Sequence, residues 1–200
     1  MQAKEPLLLI DIDGVISLFG FSFEGGAPHG GAHPEGRRQA VGRRPTSRAP
    51  RLQSHERPEG AFHTIDGIPH FLSTAAAKNL LSLVSAFDLV WCSGWEEKAE
   101  EYLPHLLGLP AGLPFLSFER DVGGIEAPRA HWKLAAIDAH AGPERPLAWI
   151  DDAFNEACHE WAAERPGPTL LIRTAPETGL TQREAVRLME WAGSLAQAPE

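Results

Sequence analysis

The chain has 200 residues and a mass of 21.8 kDa, enough for one domain with a sizeable core and too little for two full ones. Its hydrophobic fraction of 43% and charged fraction of 22% are those of a globular protein and exclude a wholly disordered or fibrous chain. A net charge of −9 is unlike that of a protein that coats nucleic acid. Between Gly20 and Gly60, however, seven arginines face four glutamates, so a local meeting with a polyanion stays open.

Residues 6–13, PLLLIDID, form a continuous aliphatic run closed by two carboxylates, the pattern of a strand buried on both faces of a parallel sheet. From Phe19 to about Gly60 the composition turns to Gly, Pro, Arg and His, with almost nothing to bury, which predicts a flexible insert at about 20–60. AFHTIDGIPHF then places Asp66-Gly67 between short apolar runs and predicts a hairpin. Ser73 to Ala86 has helical spacing, Phe87 to Cys92 reads as a buried strand, and Ser93-Gly-Trp-Glu96 opens a helix to Leu107 in capping-box form. Leu113 to Phe118 is a strand candidate, Pro128 to His140 a helix, and Pro146 to Ile150 a strand running into Asp151-Asp152. Ala153 to Arg165 reads as a helix, Thr169 to Arg173 as a strand, and Thr181-x-x-Glu184 caps a last helix reaching about Ala196. The alternation predicts a single three-layer α/β/α domain over residues 1–200, built on a mainly parallel sheet.

Ligands of open parallel sheets bind beyond the carboxyl ends of the strands. The polar residues predicted there are Asp11 and Asp13 after the first strand, Ser93 after the second, and Asp151 and Asp152 after the fourth, with Lys133 in the preceding helix. Four carboxylates at one sheet edge repel unless a cation neutralises them, and oxygen donors suit Mg²⁺, so Asp11, Asp13, Asp151 and Asp152 are the expected metal group. With a hydroxyl and a lysine, that group makes a phosphoryl-transfer site. Asp11 is placed to attack phosphorus while Lys133 balances charge on the phosphate oxygens. Ser93, with its neighbour Gly94 at a helix N-terminus, is placed to hold a phosphate oxygen. Asp13 is the acid that protonates the leaving oxygen and then takes a proton from water.

These residues resemble the haloacid dehalogenase (HAD) superfamily of aspartate-dependent phosphohydrolases. LLLIDIDGV, VWCSGW, HWK and LAWIDDAF match its four motifs in order, over about residues 6–173. The resemblance implies a HAD-like Rossmannoid fold, an aspartyl-phosphate intermediate on Asp11 and Mg²⁺ as cofactor, with Asp152 the direct ligand and Asp151 its neighbour. The second aspartate of the first motif accompanies the phosphatases of the superfamily. WCSGWE, GLP, PLAWIDD and the GLT before a Trp-containing last helix look most like the small HAD domains of modular RNA repair proteins. That likeness implies removal of phosphate from nucleic-acid ends or nucleotides. Where relatives carry a flap or cap, this chain has its Arg/Gly/Pro segment, too poor in apolar residues for a folded cap. No large cap domain and an open site are therefore expected. The arginines either pair with the phosphates of a large substrate or belong to an insertion with no role.

Other signals are weaker. His29 and His33 have the spacing of a metal pair on a helix, but HGGAH is no helix, which argues against zinc. Cys92 and Cys158 form no Cys-x-x-Cys pair and are expected to be reduced, with Cys92 in the core. The six tryptophans are expected mainly in the core. No apolar run is long enough for a membrane span, and residues 1–6 are too short and charged for a secretory signal, so the expected location is the cytoplasm, with no membrane and no stable protein partner. Two rival readings remain: a catalytically silent HAD fold that binds nucleic acid or protein through the arginine segment, and a phosphotransferase using the same site.

Overall fold

The computed structural model describes residues 5–20, 58–118 and 130–197. The insert expected at 20–60, with the His29/His33 pair, falls almost wholly outside the described residues. The principal sheet has four parallel strands in the order β5-β1-β6-β7: β1 (Leu7–Ile10), β5 (Asp88–Trp91), β6 (Leu147–Asp151) and β7 (Thr169–Arg173). β1 is central, in register with Asp88–Trp91 on one side and Leu147–Ile150 on the other. Every residue of β1 and β6 is buried, as the unbroken aliphatic runs require of strands covered on both faces.

Side-chain alternation divides the core in two. Leu8, Ile10, Trp91 and Ile150 point to the face covered by α1 (Thr74–Leu81), α2 (Glu97–Leu107) and α5 (Gln182–Leu195). Leu7, Leu9, Cys92 and Trp149 point to the face covered by α3 (Leu134–Ala141) and α4 (Glu156–Glu164). The result is the three-layer α/β/α arrangement. A second, antiparallel sheet has the order β2-β4-β3, from β2 (Ser17–Leu18), β3 (Gly60–Ile65) and β4 (Ile68–Ser73). Its hairpin turns at Asp66 and Gly67, both at positive φ (52° and 81°), the conformation a two-residue turn between twisted strands demands. No helix among the described residues is long and apolar enough to cross a membrane.

Two expected elements differ in kind or start, and the helix expected from Ser73 to Ala86 ends early, at Leu81. Leu113 to Phe118 forms no strand; Trp91 of β5 donates to Pro114 O and accepts from Leu116 N–H, both at 2.9 Å, and the pairing stops at one bridge. Pro114 has no N–H with which to extend the ladder. The second helix starts at Glu97 instead of Ser93, and no side chain caps it. Glu96 stands before it at φ 49°, ψ −126°, and its carboxylate accepts from Phe118 N–H at 3.0 Å instead of turning back to Ser93. A non-glycine residue there costs on the order of 1–3 kcal/mol.

The last helix does carry its capping box: the Thr181 hydroxyl accepts from the Arg183 N–H at 3.3 Å, and the Glu184 carboxylate accepts from the Thr181 N–H at 3.1 Å. Thr181→Ala is expected to cost about 1 kcal/mol, lowering the thermal midpoint by roughly 2–4 °C, with Thr181→Ser near wild type. Circular-dichroism melts of the two variants check this.

Candidate active site

The register of the parallel strands assembles the site. Asp11 continues the line of β1, its N–H donating to Ile150 O of β6 at 3.0 Å, while Cys92 N–H donates to Ile10 O at 2.8 Å from the other side. Asp11 and Asp151 therefore leave adjacent strands at the same edge. Lys133 comes from a short 3-10 helix, Ala130–Lys133, that leads into α3. Its ammonium lies 2.9 Å from Asp11 Oδ2 and donates to Asp151 Oδ2 at 2.7 Å. All three residues are buried. The remaining oxygens meet backbone donors: Asp11 Oδ1 accepts from Ile12 N–H at 2.8 Å and Asp151 Oδ1 from Ala153 N–H at 2.9 Å.

One ammonium does not balance the pocket. Asp152, half-buried, brings a third carboxylate, and one oxygen from each of Asp11, Asp151 and Asp152 lies within 4.8 Å of the others. Burial pushes the Asp11 carboxyl up to about 7, with Asp151's charge adding to the rise and Lys133 opposing it. Asp152 is likewise raised, by burial and then by Asp151. Burial alone would depress Lys133, but the charges of Asp11 and Asp151 outweigh it and hold the ammonium above its ordinary range. Three carboxylates against one lysine leave an excess of two negative charges when all are ionised. A cluster of hard oxygen donors with that excess fits a divalent cation such as Mg²⁺.

Gly14 makes room for the third carboxylate. It sits at φ +71°, and a Cβ there would fall 2.5 Å from Asp152 Cγ, so no side chain fits without moving Asp152. Thr174, just past β7, secures the same turn, its hydroxyl donating to Gly14 O at 2.8 Å and its N–H to Asp151 O at 3.2 Å. Neither residue was expected in the site. Asp-Gly reads from sequence as an ordinary turn, whereas Thr174 follows a predicted strand end and was open to the same rule that found Asp151.

Asp13 departs from the expected metal group. The chain turns tightly after Ile12, whose O accepts from the N–H groups of Ile16 and Ser17 at 2.8 and 2.9 Å. Asp13 is thereby exposed, and its Oδ2 accepts from the Trp95 indole N–H at 3.0 Å. Its carboxylate is not among the three that converge. Ser93 is buried at the end of β5 with its hydroxyl unused as a helix cap, and Gly94 beside it is exposed. Trp132 is 38% exposed and lies 3.9 Å from where a Gly94 Cβ would be. Of the six tryptophans, Trp91 and Trp149 are fully buried and Trp95, Trp161 and Trp191 pack half-buried against the core, as expected, while Trp132 is exposed. Cys92 is a buried thiol on the α3 side, pushed up by burial.

Removing the shared ammonium leaves two buried carboxylates unpaired, so Lys133→Met is expected to lose about 3–5 kcal/mol near pH 7.5. Asp11→Asn has the opposite sign. Because the folded carboxyl titrates about 7 and an unfolded one near 3.9, ionisation weakens the metal-free fold as pH rises between those values. In chelator the variant is expected to melt above wild type at pH 8, with the gain vanishing near pH 4. Thermal melts across that range check both variants.

The family model described as the HAD domain in Swiss Army Knife RNA repair proteins matches residues 7–185, from β1 into the first turn of α5. No curated protein and no solved structure matches the chain. The match takes in the parallel sheet, the lysine shared by two strand-end aspartates and the third carboxylate beside them, and on that extent the chain belongs to the HAD domains of Swiss Army Knife RNA repair proteins.

Proposed function

We propose that this domain is a Mg²⁺-dependent phosphomonoester hydrolase acting through an aspartyl phosphate on Asp11. The observation that carries the reading is Lys133, buried and held 2.9 Å from Asp11 and 2.7 Å from Asp151 where the strands end. An ammonium so placed presents positive charge beside the carboxylate that attacks, where negative charge develops on the transferring phosphoryl group. Asp11, Asp151 and Asp152 would hold the Mg²⁺, which supplies charge neutralisation on the phosphate oxygens when bound.

The protein's own groups then divide the work. A carboxylate oxygen of Asp11 forms a bond to phosphorus as the ester P–O bond breaks, and Asp13 gives its proton to the departing alkoxide. In the second half, Asp13 takes a proton from water as the water oxygen attacks phosphorus, and Asp11 leaves as a carboxylate. Ser93 and Gly94 border the same strand ends and are assigned to the phosphate oxygens that Lys133 leaves free. The substrate class of polynucleotide ends or nucleotides is supported by the family's description, as the HAD domain in RNA repair proteins. One domain carries this chemistry, and no stable protein partner enters it.

With Mg²⁺, the protein is expected to release phosphate from 3′- or 5′-phosphorylated oligonucleotides or from mononucleotides, and to stop in chelator. Asp11→Asn is expected to be inactive, and Asp13→Asn to lose about 10²–10⁴-fold in kcat on substrates with poor leaving groups. Malachite-green assays on a panel of both end types measure this. No release above Asp11→Asn from a folded protein overturns the reading in favour of a silent binding fold, and transfer to an added alcohol that exceeds hydrolysis turns it into a transferase.

A further inference from the structure

Asp13 is exposed, on a turn, and free of the lysine that fixes Asp11 and Asp151. An acid that must meet a leaving oxygen from such a position needs something to hold it. The structure supplies a short relay of contacts that ends on it. The Trp95 indole N–H donates to Asp13 Oδ2 at 3.0 Å. His70 of β4 packs edge-on against the Trp95 ring, with centroids 4.7 Å apart and planes at 68°. The Ser17 hydroxyl of β2 lies 3.1 Å from His70 Nδ1. Ser17 is buried and follows Asp13 by one turn of the chain, so the relay closes back on the segment from which it starts.

We infer that Trp95 is the positioning residue for Asp13, and that the small sheet holds Trp95 in place through His70. Packing alone does not account for the indole. Trp95 is half-buried against the α1–α2–α5 side of the core, and a phenyl ring would cover much of that surface without an N–H. The backbone supplies an independent sign. Glu96, immediately after Trp95, is held at φ 49°, and its own side chain is tied to Phe118 N–H, so the chain adopts a disfavoured conformation at the point that aims the indole. Strain of this kind persists where surrounding structure over-determines it, and it clusters at functional sites.

The hydrogen bond also divides the two oxygens of Asp13. Oδ2 faces a donor and serves as acceptor, so the transferable proton resides on Oδ1. In the first half-reaction that proton leaves Oδ1 for the ester oxygen as its bond to phosphorus breaks; in the second a proton from water returns to Oδ1. Without the indole the carboxyl rotates freely and the proton is no longer aimed.

This inference rests on the hydrolase reading above, and the test separates the two. An alkyl phosphate such as a nucleoside 5′-monophosphate requires leaving-group protonation, whereas p-nitrophenyl phosphate expels a stable phenolate and hardly does. Trp95→Phe is expected to lower the first-turnover rate of alcohol release from the alkyl ester by about tenfold or more, to change the first-turnover release of nitrophenolate from p-nitrophenyl phosphate by less than about threefold, and to leave the half-saturating concentrations of both nearly constant. In an Asp13→Asn background the same substitution is expected to add nothing. His70→Ala, which keeps the indole but removes its buttress, is expected to show the same selectivity at smaller size. A readout independent of turnover is the Trp95 indole N–H resonance, assigned by its loss in Trp95→Phe, which is expected to shift upfield in Asp13→Asn. Equal losses in the first-turnover rate of leaving-group release from both esters in an active enzyme, an additive loss in the Asp13→Asn background, or an indole resonance indifferent to Asp13 overturns the role of Trp95 alone. A folded wild type silent on both esters overturns the hydrolase reading, and this role with it.

Discussion

Lys133 and its two carboxylates are the interaction around which the rest of the molecule is arranged. An ammonium 2.7 and 2.9 Å from Asp151 and Asp11, with all three residues buried, repays its desolvation only if the geometry is good and the remaining lone pairs are satisfied. Ile12 and Ala153 turn their N–H groups onto the second oxygens, yet burial still outweighs Lys133 at Asp11 and holds its carboxyl raised. The aspartates themselves are held by strand register. Ile10 pairs with Ile150 across neighbouring strands, so the next residue on each leaves the sheet at the same height. A shift of one position in either strand would send an aspartate to the other face of the sheet.

The pocket is nevertheless out of charge balance, and that imbalance connects the fold to its chemistry. Asp152 enters because Gly14 has no side chain to keep it out, and Thr174 closes the turn from the end of β7. The raised Asp11 and Asp152 carboxyls record what this costs in the absence of a cation. Three carboxylates against one ammonium cost stability at the sheet edge, a cost that a hard divalent ion held by them would relieve. The buried aliphatic faces of β1 and β6 are what allow it.

Around this fixed centre the small antiparallel sheet contributes a different element. It carries Ser17 and His70, whose contacts lead to Trp95 and from there to Asp13. The strained Glu96 belongs to the same arrangement. Ser93-x-x-Glu96 has the local pattern of a capping box, yet the structure turns Glu96 toward Phe118 and starts the helix only at Glu97. Ser93 is thereby released from capping and left at the strand end. At Thr181-x-x-Glu184, where nothing draws the glutamate away, the capping box forms.

Much of this was legible without coordinates. A short apolar run bounded by turn signals reads as a strand buried on both faces, so β1 and β6, and the carboxylates that close them, follow from composition and run length. The Asp66-Gly67 hairpin and the Thr181 cap rest on equally local rules. Fold class belongs to that legible part, as does the placement of Asp11, Ser93, Asp151 and Asp152 at strand ends, whereas Lys133 is read from the order of the motifs and the family resemblance. What only the tertiary structure decided are relations between segments far apart in the chain: that Lys133 bridges Asp11 and Asp151, that Asp13 faces Trp95 instead of the other carboxylates, and that Gly14 is a space filled by Asp152. Local rules describe a residue's own backbone and nearest neighbours. Which carboxylate shares which cation depends on strand register and on how loops are cut and turned at the sheet edge, and these are set by packing over the whole core.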